Sequence, residues 1–161
     1  MPVVAAWCTP GMYSCDEEEI DELRSWDEIA LYLADEWREV RDRTSELRVT
    51  RDDRSVLVYE PATATAKQRR LLHRAGFRLW AARSWSWTPP DPDPADVQPP
   101  PFESTLPRMR ERWTASRVRA ARDRALAAKA LRVMRDLMSC APEDLIVVVF
   151  VEREDWDDEV G

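Results

Sequence analysis

The side chains best equipped for chemistry are one histidine, 3 cysteines, dense carboxylate runs, and a stretch in which arginines alternate with tryptophans. His73 is the one imidazole, standing in RRLLHRAGF. A general base needs a nucleophile or substrate within hydrogen-bond reach, and usually a third group to orient it. A lone histidine flanked by arginines on a helix reads instead as a surface residue. Cys8, Cys15 and Cys140 form no CxxC pair, and zinc usually takes four ligands, so a zinc site is not expected. An odd cysteine number fits a reducing cytosol, with pairing of Cys8 and Cys15 left open. Cys140, at a helix end without a base-and-orienter pair, reads as a small buried residue.

Carboxylates crowd residues 16–39 and 152–159. In the first run they fall on the polar side of a helical pattern, which explains them without acid–base work. Asp155, Asp157, Asp158 and Glu159 lack the ordered spacing and glycine of an EF-hand. No Walker, Rossmann, GxSxG or HExxH motif occurs, and with 3 glycines a phosphate-cradling loop is not expected. The sequence thus offers no catalytic residue, metal site or cofactor, and the expectation is a non-enzymatic protein.

Binding surfaces are the alternative. Formal net charge is -7, but basic residues gather at Lys67, Arg69, Arg70, Arg74, Arg78 and Arg83, and again along residues 108–135. Arg70, Arg74, Arg78 and Arg83 with Trp85 and Trp87 would suit single-stranded nucleic acid, the rings stacking on bases and the guanidiniums meeting phosphates. Against that, strand tryptophans usually fill cores, leaving the arginines as a solvated rim. Only Lys67 and Lys129 are lysine, asparagine is absent, and isoleucine occurs only at Ile20, Ile29 and Ile146. Those residues have AT-rich codons, so a GC-rich genome accounts for much of the arginine. The acidic runs offer the other surface: Glu17, Glu18, Glu19, Asp21, Asp157 and Asp158 are the expected contacts for a protein partner, imitating nucleic-acid charge.

These side chains need a frame. A length of 161 residues suits one domain, and 44% hydrophobic residues with 8 tryptophans is too apolar for wholesale disorder. Residues 1–14 read as an arm, 15–151 as a single domain, 89–107 as a Pro-rich connector and 152–161 as an acidic tail. Ser14 with Glu17, or Ser25 with Glu28, caps a first helix whose apolar face runs Ile20, Leu23, Trp26, Ala30, Leu33, Trp37, Val40. Leu47, Val49, Val56 and Val58 flank the turn residues Asp52 and Asp53 as a hairpin. Thr65 and Gln68 cap a short helix that Gly76 closes in a left-handed conformation, with Phe77 placed for the hydrophobic contact that follows. Residues 77–80 and 84–88 form two more strands, and residues 105–139 a long helix. That helix is charged in its first half and carries a stripe at Leu126, Ala130, Val133 and Leu137, joined by Ala127, Leu131, Met134 and Met138. Residues 145–151 are a buried central strand. The expected fold is α+β: a small, mainly antiparallel sheet of about five strands packed against three helices, with the Pro-rich connector.

The AGFRLW run at residues 75–80, with Trp85 and Trp87 downstream, resembles a small domain of unknown function in actinobacterial phage and plasmid proteins, whose hallmark is a helix ending in AGFRW before a strand pair. The resemblance covers about a quarter of the chain and implies a mobile-element accessory protein, with no catalytic residues to transfer. The first residues lack a basic n-region and a long apolar core, and no apolar run approaches the roughly 20 residues that span a bilayer. A cytoplasmic protein without a membrane partner is expected, its oligomeric state open. It would bind a host or element protein through acidic surface, with nucleic-acid binding as the alternative.

Overall fold

The computed structural model describes residues 15–22, 24–35, 37–98 and 106–152, with side chains described for 24–35, 37–98 and 106–147. Among the described residues seven strands form one antiparallel sheet: β1 (Cys15–Glu22), β2 (Glu39–Asp42), β3 (Arg48–Arg51), β4 (Val56–Tyr59), β5 (Arg78–Ala81), β6 (Ser84–Trp87) and β7 (Leu145–Glu152). Their order is β1-β7-β2-β3-β4-β6-β5. Three α-helices accompany them: α1 (Trp26–Ala34), α2 (Ala66–Arg74) and α3 (Pro107–Arg132). The α+β class is as expected, with seven strands where five were read.

Both additional strands lie at the two ends of the segment read as the first helix. Ser25, not Ser14, caps α1, accepting from the Glu28 amide at 3.2 Å. Glu28 Oε2 in turn accepts from the Arg24 amide at 2.7 Å. Residues 15–22 instead pair with β7 from Cys15↔Glu152 to Glu22↔Ile146. Val40, read as the last residue of the helical face, lies in β2 opposite Val49 and Val147. The apolar run of β7 presents backbone donors and acceptors along both edges, and β1 and β2 satisfy them. That pairing overrides a local helical pattern.

In antiparallel ladders opposed residues share a face. Val40, Val49, Val58 and Trp85 are successive register partners across β2, β3, β4 and β6, and Val147 faces Val40 from β7. All five are buried. Ile29 and Leu33 of α1 join Leu126 and Ala130 of α3 in the same core. Each valine, leucine or isoleucine side chain among them contributes about 1.5–3 kcal/mol when removed from water. The predicted stripe of the long helix is therefore real, but α3 widens into a π turn at Val133–Leu137, where the Met138 amide donates to Val133 O at 2.9 Å. Before Leu126 no described side chain of α3 is buried. Beyond the sheet, a 3-10 turn at Pro94–Val97 tucks Val97 into a buried position, so part of the connector lies against the domain.

The 71–87 run behaves as its residues dictate. Thr65 and Gln68 complete the capping box of α2. Gly76 adopts φ 92°, its amide donating to His73 O at 3.0 Å while the Phe77 amide reaches Leu72 O at 3.1 Å. These are the two bonds of a Schellman closure, and Phe77 and Leu72 are both buried. A Cβ on Gly76 would lie 3.3 Å from Trp87 Cδ1. Trp85 is 6% exposed, and its indole donates to Glu60 Oε2 at 2.9 Å. Glu60 itself is 1% exposed and is ion-paired with Arg69 of α2, Nε to Oε1 2.8 Å.

Gly76→Ala is expected to lower unfolding free energy by about 1–2 kcal/mol through the left-handed backbone, read from the urea midpoint. Glu60→Ala should cost about 1–3 kcal/mol more than Glu60→Gln, because only alanine leaves the buried Trp85 N–H without an acceptor. Equal costs for the two variants would show that the indole bond carries no stability.

Candidate anion-binding cleft

The residues first assigned to nucleic acid do not form one surface. Trp85 cannot stack on a base, since its ring is enclosed and its N–H is taken by Glu60. Trp87 is half-buried against Phe77, ring centroids 6.4 Å apart, with Lys129 Nζ 4.4 Å from its ring centre. Burial, followed by the charge of Arg132, holds the Lys129 ammonium pKa below its ordinary range. Arg70, Arg74 and Arg78 are exposed. Arg83 donates to the Tyr59 hydroxyl at 2.6 Å and lies over the Tyr59 ring. The exposed tryptophan of the hairpin is Trp80, at 65%. It borders a shallow groove of about 310 Å³ with Arg48, Thr50, Leu57 and Tyr59. The side chains of Glu17, Glu18, Glu19 and Asp21, and all of Asp157 and Asp158, lie outside the described residues; the first four occupy a strand rather than a helix.

A different constellation arises where α1 hands over to β2, beside the β3–β4 turn and the middle of α3. A cleft of about 630 Å³ is lined there by Arg38, Arg51, Arg54, Arg119 and Arg122, together with Asp35, Asp52, Asp53 and Asp123. Each wall has a local cause. The β3–β4 turn is closed by Asp52, whose Oδ1 accepts from the Arg54 amide at 2.8 Å and the Ser55 amide at 2.6 Å. The Arg51 amide donates to Arg38 O at 3.1 Å, which ties the turn to the α1–β2 connection. Arg119, Arg122 and Asp123 follow three- and four-residue steps and so share one side of α3. Arg51 Nη2 reaches Asp123 Oδ1 at 3.4 Å, joining the turn to that helix.

Two donors on this wall have no acceptor. Trp37, 1% exposed, has a buried Nε1 without a partner, and so does Arg51 at Nη1. An unmet buried donor costs about 1–3 kcal/mol. Both residues line the cleft, but these two nitrogens have no surface open to it. The guanidiniums of the rim can receive an oxyanion. Sequence reading missed it because Arg38, Arg51 and Arg54 belong to neither basic cluster and Trp37 was read only as core. The one local signal was the RDDR turn at residues 51–54.

Other chemistry is less developed. Among the described residues no group of three or more His, Cys, Asp or Glu could hold a metal ion, and no helix is long and apolar enough to cross a membrane. His73 is exposed on α2. Cys140 donates through Sγ to Asp42 Oδ2 at 3.3 Å. Burial, then the Asp42 charge, pushes the thiol pKa far up, away from nucleophile chemistry. Neither a family model, nor a curated protein, nor a solved structure matches the chain.

Asp42 is buried and closes the β2–β3 turn, accepting from the Thr44 amide at 2.8 Å, Thr44 Oγ1 at 2.7 Å and Ser45 Oγ at 2.6 Å. Burial works to raise its pKa, but the bonds from Ser45, Thr44 and Cys140 together bring it below the ordinary carboxyl value. A depressed folded pKa means that this stabilisation is complete above the unfolded value of about 3.9 and is lost as pH falls through the folded value. Asp42→Asn should therefore be less stable than the parent by about 1–3 kcal/mol at neutral pH. The gap should narrow below about pH 4, as read from urea midpoints across that range.

Proposed function

We propose that the protein is a non-enzymatic binding protein that holds a single-stranded nucleic acid along the arginine-bearing half of α3 and the adjoining cleft. One observation carries this reading. From residue 107 to 125 the helix has no fully buried side chain, only half-buried ones such as Trp113 and Val118, and it bears Arg108, Arg110, Arg112, Arg117, Arg119, Arg122 and Arg124 against only Glu111 and Asp123 as acids. Nineteen helical residues span about 28 Å, enough to follow several phosphates of a strand. GC-driven codon use explains why the basic residues are arginine; it does not explain why seven of them gather on the less buried half of one helix. Trp113, half-exposed with Arg117 4.7 Å from its ring centre, supplies aromatic surface for bases.

The overall charge of -7 does not oppose this, because clustered basic surface rather than net charge governs local attraction. An accessory role in a phage or other mobile element, implied by the AGFRLW resemblance, is part of the proposal. Capture of a protein partner by Glu17, Glu18, Glu19, Asp21, Asp157 and Asp158 draws no support from the described side chains.

Fluorescence anisotropy with a labelled 20-nucleotide single strand tests the reading. Binding should weaken steeply with salt, and a triple Arg108→Gln, Arg112→Gln, Arg117→Gln variant should flatten the log–log salt slope by about two units, at about 0.7 per phosphate contact. No binding at low salt, or an unchanged slope in the folded variant, would refute it.

A further inference from the structure

We infer that the sheet face turned away from the helices is a second contact for single-stranded nucleic acid, with a base stacked on Trp80 and a neighbouring phosphate met by Arg48 and Arg83. The inference goes beyond the α3 reading, since α3 lies on the other side of the sheet. Val40, Val49, Val58 and Trp85 share their core with Ile29 and Leu33 of α1, Leu72 of α2 and Leu126 of α3. Residues one step along each strand turn to the opposite face. There Arg48, Tyr59 and Ser84 are successive register partners, as are Thr50, Leu57 and Ser86. All but Ser86 line the groove of about 310 Å³ that Trp80 also borders.

Trp80 owes its place to an irregularity. The β5–β6 register shifts between Leu79 and Ala81, and a residue at such a bulge leaves the ladder with its side chain re-aimed. The ring is 65% exposed, so it stands outside the core and open to a ligand. Positive charge lies beside it. The guanidiniums of exposed Arg48 and half-buried Arg83 sit 5.1 and 5.0 Å from the centre of the Tyr59 ring. Glu39, the carboxylate of the described lining, is ion-paired with Arg41, and no carboxylate among the described residues holds Arg48 or Arg83. The groove thus offers an open aromatic ring, unneutralised guanidiniums, and the hydroxyls of Thr50, Tyr59 and Ser84. A nucleotide matches all three, with a planar base for the ring, a phosphate for the guanidiniums and polar base edges for the hydroxyls. A protein partner would need roughly 800 Å² of matching surface, which one ring beside a polar groove does not supply.

Photocrosslinking of the whole protein to a 20-nucleotide single strand carrying iodouracil tests the placement, since that base couples to an aromatic ring on which it stacks. Tryptic cleavage after Arg78 and Arg83 releases residues 79–83, in which Trp80 is the one aromatic. The labelled base should be recovered on that peptide. In anisotropy titrations Trp80→Ala should weaken strand binding at least about fivefold without changing the salt slope, and Trp80→Phe should stay close to the parent. Arg48→Gln should instead flatten the slope by about 0.7. A strand of the same length without bases should bind the parent and Trp80→Ala alike; weaker binding of it by the variant overturns the base contact. Residues 79–83 left unlabelled, or Trp80→Ala at parental affinity, overturns the inference. If they stay unlabelled while the Arg108, Arg112 and Arg117 variant flattens the slope, only the outer face fails. If they are labelled while that variant keeps the parental slope, only the α3 reading fails. No strand binding at low salt overturns both.

Discussion

A single carboxylate joins the two halves of the sheet-and-helix frame. Glu60 sits at the end of β4, out of water, and accepts from the Trp85 indole of β6 while pairing with Arg69 of α2. A buried carboxylate is tolerated only when its oxygens are met, and here one oxygen meets each partner. The chain between them, with α2, its Gly76 closure and β5, is thereby fixed relative to β4. Backbone pairing reinforces the joint, since the Glu60 amide donates to Arg83 O at 2.9 Å. Because Trp85 continues the apolar row of Val58, Val49 and Val40, the alignment set at Glu60 carries across the core face.

Where local chemistry decides conformation, the sequence was readable. Thr65 and Gln68 cap α2, Gly76 ends it, and Asp52 turns the β3–β4 hairpin, each through bonds spanning a few residues. The stripe from Leu126 to Leu137 and the apolar run of β7 were equally plain, because a period or a continuous run needs no partner to be recognised. Residues 15–22 were not legible. Their strand state depends on β7, more than a hundred residues later, and nothing in CDEEEIDE announces that pairing. Neither was the divergence of the hairpin tryptophans: Trp85 turned inward to Glu60, Trp80 outward to solvent.

The cleft was invisible for the same reason at larger scale. Arg38, Arg51 and Arg119 come from three separate parts of the chain, and the property that marks the site is their convergence rather than any one residue type. Composition pointed to arginine abundance and to its codon explanation. Geometry separates the two: arginines such as Arg135, paired with the adjacent Asp136 on the surface, need no further role, whereas Arg51 retains an N–H group shielded from water and unmet. That distinction lies in packing, which a single sequence does not display.

The place of β7 also bears on how the fold assembles. It occupies an interior position, and among the described residues β1 is hydrogen-bonded to no other strand. More than a hundred residues of chain separate the eight residues of β1 from that partner. Pairing over such a separation is slow to form, and an unpaired strand is a template for the wrong neighbour. Six of those eight residues are acidic. Like charges along an edge strand oppose pairing with a second chain, so the composition of β1 itself disfavours edge-to-edge association.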